Sequence, residues 1–279
     1  MSITAATRVA GVIGSPVRHS LSPALHNAAF SASGAPWVYV AFEVPPGEAH
    51  RALDAMRVLG IGGLSVTMPH KEQVAVAVDE LDPAAAALRS VNTVVAQSDG
   101  RLVGHSTDGA GFVASLRESG VDPAGRRVVV IGAGAAGRAV VDALARAGAG
   151  AVEVVNRSRS RAEEAAQLAG AVGGVVEPTA VADADIVVNA TSVGMGSDAL
   201  AVDPALLHAG QVVADLVYHP LETALLRAAR LAGATTVDGL GMLVHQAALQ
   251  QQLWLGALPD TAVMRGAALR ELDARSRIA

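Results

Sequence analysis

A glycine-rich turn between a strand and a helix is the strongest constraint on the fold of this chain. A predicted strand at 126–131, apolar after two leading arginines, leads into Gly132-Ala133-Gly134-Ala135-Ala136-Gly137, and an alanine-rich helical segment follows. In this setting the first glycine permits a tight turn, the second lets the backbone approach a phosphate, and the third lets helix and strand pack closely. The helix N-terminus then offers free amide groups to an anion. The turn predicts a parallel α/β domain that binds a dinucleotide; the alternative is a purely structural turn in an Ala- and Gly-rich chain.

The residues after the next predicted strand indicate which dinucleotide this turn binds. A site for an unphosphorylated ribose usually carries Asp or Glu there, whereas this strand ends at Asn156 and is followed by Arg157, Arg159 and Arg161. Guanidinium groups bind a 2′-phosphate, which a carboxylate would repel. The alternative is a solvated helix start, but cations at a helix N-terminus oppose the helix dipole. We therefore predict NADP(H) as the cofactor.

The alternation of strand-like and helix-like segments predicts an α/β fold. In the first third, strands 91–96 and 102–105 flank the turn signal Ser98-Asp99-Gly100, which predicts a hairpin and hence a mixed sheet. In the middle third, strands and helices alternate regularly, which predicts a doubly wound parallel sheet of the Rossmann type with right-handed crossovers. The tail from about residue 240 is helical. We place the boundary between the first two regions near residues 108–123.

Composition excludes several other classes of protein. The 279-residue chain is 51% hydrophobic and has a formal net charge of −5, so it can bury sizeable cores and carries no basic stripe for nucleic acid. It contains no cysteine, and its histidines lack metal-ligand spacing, so we predict neither disulfides nor a metal site. The N-terminus is not a signal peptide, and no apolar run reaches membrane-spanning length. These features favour a cytoplasmic protein that acts on a small molecule.

Lys71 is a candidate proton donor, and the reason is the use of lysine and arginine in this chain. Lys71 is the only lysine, and the other cationic side chains are all Arg. Arg stays protonated at any accessible pH, whereas a Lys ammonium can release a proton. Asp108, at a predicted helix start, is the carboxylate that we expect to orient the ammonium. The alternatives are that Lys71 is an ordinary surface cation and that Asp108 is a helix N-cap.

Polar side chains lie where the strands of the first region are predicted to end. Ser20 and Ser22 are spaced so that both can face one bound anion or polyol, although Ser22 is also suited to be the N-cap of the helix that follows. Ser65 and Thr67 point to the same side of a strand end, because side chains alternate along a strand. Asn92 begins another strand. These five residues are candidates for binding a polar substrate.

Taken together, these segments resemble the shikimate dehydrogenase family. The matching motifs, in the family's order, are GSPVRHSLSPALHN at 14–27, VTMPHK at 66–71, VNT at 91–93 with TDG at 107–109, the turn at 132–137, NRS at 156–158, NATSVGM at 189–195, DLVYHP at 215–220 and GLGMLVHQ at 239–246. The resemblance implies reduction of 3-dehydroshikimate to shikimate with NADPH, as in aromatic amino-acid and chorismate biosynthesis. It extends over nearly the whole chain.

The resemblance implies a role for each matched residue. Lys71 and Asp108 would be the catalytic pair. The substrate would be bound by Ser20, Ser22, Ser65, Thr67, Lys71, Asn92, Asp108, Tyr218 and Gln246. The cofactor would be bound by Gly132, Ala133, Gly134, Ala135, Ala136, Gly137, Asn156, Arg157, Arg161, Thr191, Met195, Val217, Gly239 and Met242.

The resemblance also implies a domain plan. Residues 1–108 would form a substrate-binding catalytic domain, and residues 109–239 an NADP-binding Rossmann domain. The C-terminal helices at 240–279 would return to the first domain, because Gln246 must reach the substrate. The protein would be a monomer or a homodimer.

One departure from the family bears on the substrate. The family usually has Asn where Ser65 stands, which leaves one substrate hydrogen bond shortened, lost or bridged by water. The pair Ser20 and Ser22 favours shikimate over quinate, since quinate-preferring relatives often carry Thr at the second position. The alternatives are a quinate or dual quinate/shikimate dehydrogenase and a non-catalytic NADP(H)-sensing protein with the same fold.

Overall fold

The computed structural model describes residues 3–277, and the chain divides into two compact units. The first unit comprises residues up to Thr107 together with those from Gln246 onward, and the second comprises Asp108–His245. The domain plan that the family resemblance implies has its boundaries after residues 108 and 239. The second division instead falls inside a helix, because a helix can pass from one unit to the other without a break in its sequence pattern.

The first unit contains a mixed six-stranded sheet. Its strands are β1 (Arg8–Gly14), β2 (Trp37–Glu43), β3 (Gly63–Val66), β4 (Glu80–Leu81), β5 (Thr93–Ala96) and β6 (Leu102–His105). They lie in the order β2-β1-β3-β5-β6-β4. The strand β1 is parallel to β2 and β3, whereas β5 is antiparallel to β3 and β6. The predicted mixed sheet and its hairpin are confirmed.

Four helices of the first unit follow these strands. They are α1 (Ser22–Ser33), α2 (Ala49–Leu59), α3 (Lys71–Ala77) and α4 (Pro83–Leu88). Two helix starts differ from our expectation. Ser22 is the first residue of α1 and not its N-cap, and the Oγ of Ser20 instead accepts a hydrogen bond from the Ser22 amide at 3.2 Å. Pro69, which as a residue favoured in the first helical turn predicts a helix start, lies instead in the turn before α3, which begins at Lys71.

Both faces of the mixed sheet are buried. Successive residues of β1 point to opposite faces, so that Ile13 packs with Leu64 and Met56 on one side, while Val12 packs with Tyr39 and other aromatic residues on the other. Burial on both faces explains why the strands read as continuous apolar runs without polar alternation.

The second unit contains a six-stranded parallel sheet. Its strands are β7 (Arg127–Ile131), β8 (Ala151–Val155), β9 (Gly173–Val175), β10 (Ile186–Asn189), β11 (Val212–Asp215) and β12 (Thr235–Val237). They lie in the order β12-β11-β10-β7-β8-β9. After β7, the chain adds β8 and β9 on one side of that strand, and it then adds β10, β11 and β12 on the other side. This is the Rossmann-type order, and the predicted fold class is confirmed.

Helices cover both faces of the parallel sheet. They are α5 (Asp108–Glu118), α6 (Ala135–Arg146), α7 (Arg159–Gln167) and α8 (Ala224–Leu231). Val128 and Val130 of β7 pack with residues of α5, α6 and α7, and Val129 packs with Leu225 and Leu226 of α8. The sheet is thus doubly wound, as predicted.

Two C-terminal helices complete the chain. The helix α9 (Gly239–Leu255) starts in the second unit and ends in the first, and α10 (Thr261–Ser276) belongs entirely to the first unit, where it packs against α1. Among residues 3–277, no helix has both the length and the apolar character that crossing a membrane requires.

A buried aromatic cluster links α1, β2 and α9 within the first unit. The imidazole of His26 stacks on the ring of Tyr39, with 4.2 Å between ring centroids, and lies 5.3 Å from the ring of Trp254. The amide of Gln251 donates to the ring Nδ1 and to the backbone carbonyl of His26, at 3.1 Å each. Burial lowers the pKa of His26 to about 3, although hydrogen bonding of the ring to Gln250 acts in the opposite direction.

We expect this histidine to make the protein less stable in mild acid. Its pKa is lower in the folded than in the unfolded chain, where it is near 6.5, so the unfolded chain takes up the proton first. The contribution of His26 to the free energy of unfolding is therefore complete above pH 6.5 and is lost as the pH falls towards 3, at up to about 1.4 kcal/mol per pH unit. Urea unfolding of wild type and His26→Gln from neutral to mildly acidic pH measures the slope. The variant should have the shallower slope, and the exposed control His50→Gln should keep the wild-type slope. An unchanged slope in His26→Gln would contradict the assignment.

Candidate active site

One edge of the mixed sheet collects most of the residues that we predicted to bind the substrate. In the strand register, Ile13 pairs with Val66, Ser65 with Thr93, and Thr93 with His105. The ends of β1, β3 and β6 therefore meet the start of β5 at a single edge. At this edge, or in the segments directly following it, lie Ser20, Ser22, Ser65, Thr67, Lys71 and Asn92.

Lys71 is half-buried at the first position of α3, and its backbone is held by neighbouring segments. Its carbonyl oxygen accepts a hydrogen bond from the Val91 amide at 3.0 Å. The preceding His70 is fully buried, and its Nε2 lies 2.8 Å from the carbonyl oxygen of Val44. Because a carbonyl only accepts, His70 carries its proton on Nε2. The start of α3 is thus fixed both to the segment before β5 and to the end of β2.

The loop that carries Ser20 is held by the last helix of the chain. The Arg275 guanidinium in α10 donates to the carbonyl oxygen of His19 at 2.6 Å and to that of Ser20 at 3.2 Å. Arg275 lies outside every family motif that we matched, so no sequence pattern indicated this contact. Ser22 is buried and Ser20 is half-buried.

The side chain of Asn92 is oriented by two threonines. Its Oδ1 accepts from the Thr107 amide at 2.9 Å and from the Thr93 hydroxyl at 2.8 Å, while its Nδ2 donates to the Thr107 hydroxyl at 2.9 Å. The Thr107 hydroxyl lies 3.2 Å from the carbonyl oxygen of Gln246. Thr107, which we did not predict as a site residue, therefore joins the predicted residues Asn92 and Gln246.

Ser65 takes part in a buried hydrogen-bond chain. The Tyr39 hydroxyl donates to the Ser65 Oγ at 2.6 Å, and Ser65 donates in turn to the Oε1 of Gln250 at 2.7 Å. Neither Tyr39 nor Gln250 was among our predicted residues. Thr67 is half-buried, and its amide donates to the carbonyl oxygen of Ile13 at 3.0 Å.

Asp108 and Tyr218 belong to the second unit. Asp108 is half-buried at the first position of α5. The next residue, Gly109, would place a Cβ 2.2 Å from the carbonyl oxygen of Ala139, so α5 packs directly on the backbone of α6 at this point. Tyr218 is half-buried in the loop after β11. The pairing of Asp108 with Lys71 stays a prediction.

The glycine turn has the geometry that its sequence predicts. Gly132 has a φ of +107°, which favours glycine. A Cβ on Gly137 would lie 2.0 Å from the carbonyl oxygen of Gly132, so only glycine lets α6 pack so closely on the turn. Gly134 is exposed and caps α6 without a side chain, and Ala135 is exposed as well. The backbone of this helix start is therefore open to a bound phosphate, and the turn fits a dinucleotide.

A cavity of about 650 Å³ lies beside this turn. Four predicted cofactor residues line it, namely Gly132, Asn156, Arg157 and Thr191. Arg159, one of the three arginines after β8 but not among the residues assigned to the cofactor, lines it as well, as does the segment 175–178, which we did not predict. Arg161 is exposed at the start of α7 and is not among the lining residues. The Oδ1 of Asn156 accepts from the Ala133 amide at 3.3 Å, which ties the glycine turn to the end of β8.

The buried carboxylate of Asp215 is connected to Thr191 through the side chain of Asn189. The carboxylate of Asp215 accepts from Asn189 at 2.9 Å, from the Thr223 hydroxyl at 2.7 Å and from the Val217 amide at 3.1 Å. Burial raises the pKa of Asp215, and these three hydrogen bonds oppose the shift. The Oδ1 of Asn189 accepts from the Thr191 hydroxyl at 2.7 Å. The network thus fixes the loops after β10 and β11.

The remaining predicted cofactor residues differ in exposure. The side chain of Met195 is 57% exposed, whereas Val217 is buried in the second unit. Gly239 would place a Cβ 2.4 Å from the carbonyl oxygen of Leu216, and Met242 is half-buried in α9. Within residues 3–277, no three His, Asp or Glu side chains are grouped so that they could hold a metal ion.

The fold and these two groups of residues define a class of protein. A Rossmann-type sheet with an open glycine turn and guanidinium groups beside it, joined to a second α/β unit with polar residues at one sheet edge, is typical of a dinucleotide-dependent dehydrogenase. Three family models match the chain: "Shikimate dehydrogenase substrate binding domain" at residues 12–94, "Shikimate / quinate 5-dehydrogenase" at 115–195 and "Shikimate 5'-dehydrogenase C-terminal domain" at 239–269. The chain belongs to the shikimate dehydrogenase family.

Individual relatives agree with this assignment over nearly the full length. The chain is 48% identical to the shikimate dehydrogenase (NADP(+)) of Symbiobacterium thermophilum, with 95% of each chain covered. It matches the structure of shikimate 5-dehydrogenase from Thermus thermophilus in complex with NADP(H) and shikimate at a TM-score of 0.89 and 38% identity, covering 95% of this chain and 99% of the other. It also matches quinate dehydrogenase from Corynebacterium glutamicum in complex with NAD at a TM-score of 0.88 and 35% identity, covering 95% and 99%.

Proposed function

We propose that this protein catalyses the reversible, NADPH-dependent reduction of 3-dehydroshikimate to shikimate in aromatic amino-acid biosynthesis. The observation that carries the proposal is the polar sheet edge of the first unit, where Ser20, Ser22, Thr67, Lys71 and Asn92 stand on the motifs of the family. The hydroxyls and the amide suit a polyhydroxylated carboxylic acid, and the lysine supplies the one readily transferable proton. The relatives named as shikimate dehydrogenase (NADP(+)) support the same substrate and cofactor.

The reaction requires a proton donor as well as a hydride. NADPH supplies the hydride when it is bound. As the carbonyl carbon accepts it, the electron pair of the C=O bond moves to the oxygen, and we propose that the Lys71 ammonium stabilises this charge and transfers a proton to it. Solvent then reprotonates Lys71. We propose that Asp108 orients the ammonium and accepts a hydrogen bond from the neighbouring ring hydroxyl.

The substrate carboxylate is assigned to the two serines. The hydroxyls of Ser20 and Ser22 can each donate one hydrogen bond to a carboxylate oxygen. We assign the ring hydroxyls to Thr67, Asn92 and Gln246, with Tyr218 lining the site. The hydrogen bonds from the Thr93 hydroxyl and the Thr107 amide to the Asn92 Oδ1 support this role, because they fix the orientation of the Asn92 side chain.

We expect Arg157→Ala to weaken binding of NADPH far more than binding of NADH. The guanidinium lines the cavity beside the glycine turn and would pair with the 2′-phosphate that NADH lacks. Loss of a hydrogen bond to a charged group corresponds to roughly a 10- to 100-fold rise in Kd for NADPH. Titration of both cofactors by fluorescence measures this. The exposed Arg51→Ala in the first unit is the control and should leave both Kd values unchanged. An equal rise for NADPH and NADH in Arg157→Ala would show that the arginine does not select the phosphate.

Initial rates with shikimate and quinate, each with NADP and with NAD, test the proposed function. We expect the largest kcat/KM for shikimate with NADP. A higher kcat/KM for quinate would favour the quinate alternative. The structural likeness to the Corynebacterium glutamicum quinate dehydrogenase is the reason for including this substrate. Absence of turnover with every pair, together with intact NADPH binding, would favour a non-catalytic sensor.

The setting of the reaction is also a proposal. We place the enzyme in the cytoplasm, where biosynthetic reductions draw on NADPH. We expect a monomer or a homodimer, and sedimentation equilibrium distinguishes the two.

A further inference from the structure

The hydroxyl of Ser65, a residue that we expected to bind the substrate, is already engaged by protein groups. The side chain is only 5% exposed. Its oxygen lies 2.6 Å from the Tyr39 hydroxyl and 2.7 Å from the Oε1 of Gln250. A hydroxyl has a single proton, so the direction of these two hydrogen bonds decides whether Ser65 can donate to a substrate.

The orientation of the Gln250 side-chain amide sets the direction of both hydrogen bonds. The side-chain amide of Gln250 also faces the backbone carbonyl oxygen of Asn92, at 3.3 Å from its Nε2. Two carbonyl oxygens facing each other would repel, so the NH₂ group must point to Asn92 and the Oε1 to Ser65. Ser65 must then donate its only proton to Gln250, and Tyr39 must donate to Ser65. Burial raises the pKa of Tyr39, against the effect of the nearby Ser65 and Ser22 hydroxyls, so its phenol stays a neutral donor.

The same amide holds a residue that we assign to the substrate. The Asn92 carbonyl oxygen accepts from the Val66 amide at 2.7 Å as well as from Gln250. The Asn92 backbone is therefore held by β3 on one side and by α9 on the other, while its side chain is held by Thr107. Loss of the Gln250 amide would leave one of these restraints missing and would unpair the proton of Ser65.

We propose that Gln250 is a positioning residue for the substrate site, which acts by accepting the proton of Ser65 and by holding the backbone of Asn92. In this arrangement Ser65 donates no hydrogen bond to the substrate. The carboxamide of Gln250 occupies the space into which a longer side chain at position 65 would extend. The inference rests on the proposed function, since its main measurement uses shikimate.

A double-mutant cycle tests this coupling. Ser65→Asn places a second carboxamide against Gln250, and Gln250→Ala removes the amide that holds Asn92. We expect each single variant to raise the KM for shikimate by roughly 10-fold, the scale of one lost hydrogen bond. The double variant Ser65→Asn with Gln250→Ala should return to within about 3-fold of wild type, because the longer side chain then has room and restores an amide. The KM for NADP should stay unchanged throughout.

The outcomes separate the inference from the proposed function. If the two changes combine multiplicatively in the KM for shikimate, the inference is overturned. A fall in melting temperature and kcat without a rise in that KM would indicate a structural role alone and would also overturn it. If a single variant does not fold, the double variant should still fold with near wild-type KM, and an unfolded double variant would count against the coupling. The exposed Gln252→Ala on the same helix is the matched control and should behave as wild type. Inactive wild-type protein with shikimate would instead contradict the proposed function.

Discussion

We expect Lys71→Ala to lower kcat for shikimate oxidation by about 100-fold or more, the usual scale for a positioned acid–base group, with a smaller change in KM. Lys71 is the only lysine in the chain, so no second ammonium can take over its role. Its backbone is fixed at the start of α3 by hydrogen bonds at Lys71 and His70, so the variant should lose the ammonium without moving the helix. Steady-state kinetics in both directions measures the effect, and the melting temperature shows that the fold is kept.

The conservative variant Lys71→Arg provides the control for charge. The guanidinium retains the cation but does not release a proton, so kcat should fall while shikimate binding is partly kept. Protection from an amine-reactive label by shikimate gives an independent measurement, since Lys71 and the N-terminus are the only amines. A kcat for Lys71→Ala within about 3-fold of wild type would exclude this residue as the proton donor.

We expect Gly137→Ala to abolish tight cofactor binding. The added Cβ would lie 2.0 Å from the carbonyl oxygen of Gly132, a backbone atom that cannot yield without opening the turn. Displacement of the helix start removes the amide groups that bind the phosphates, and we expect a rise in Kd for NADPH of about 100-fold or more. The melting temperature should fall as well, because helix and strand no longer pack closely.

Gly134→Ala is the matched comparison within the same turn. A Cβ at this position meets no protein atom within 4 Å, and its φ of −77° suits alanine. The melting temperature should therefore stay at the wild-type value. Because Gly134 is the glycine expected to lie against the cofactor, the Kd for NADPH should still rise. Unchanged affinity in Gly134→Ala would show that the dinucleotide does not approach the backbone there.

Structural elements that are marked by a short sequence motif or a run of apolar residues were predicted correctly. The glycine turn, the apolar strands and the hairpin at Ser98-Asp99-Gly100 are local features, and the structure confirms them. The short strand β9 (Gly173–Val175) and the helix α8 (Ala224–Leu231) were missed. Two glycines weaken the strand signal of β9, and α8 is only eight residues long, so tertiary packing stabilises both more than propensity does.

The residues that support the candidate site could not be predicted in the same way. Ser65 and Gln250 are 185 positions apart, and Arg275 contacts His19 across 256 positions. Such pairs leave no local period or motif in one sequence. Family motifs indicated Lys71 and Asn92, but the contacts that orient them appear only once the chain is folded.

The first unit is formed by two separate segments of the chain, and this has a consequence for the order in which the units are synthesised. Residues 108–245 form a continuous segment, so the whole of the second unit is translated before residues 246–277 are. Domains generally fold as units, and N-terminal ones first, as the chain is made. Here the loop of Ser20 lacks one of its restraints until α10 has been translated, because Arg275 of α10 holds that loop. A chain truncated before α10 would therefore contain every residue of the nucleotide-binding unit but only part of the first unit.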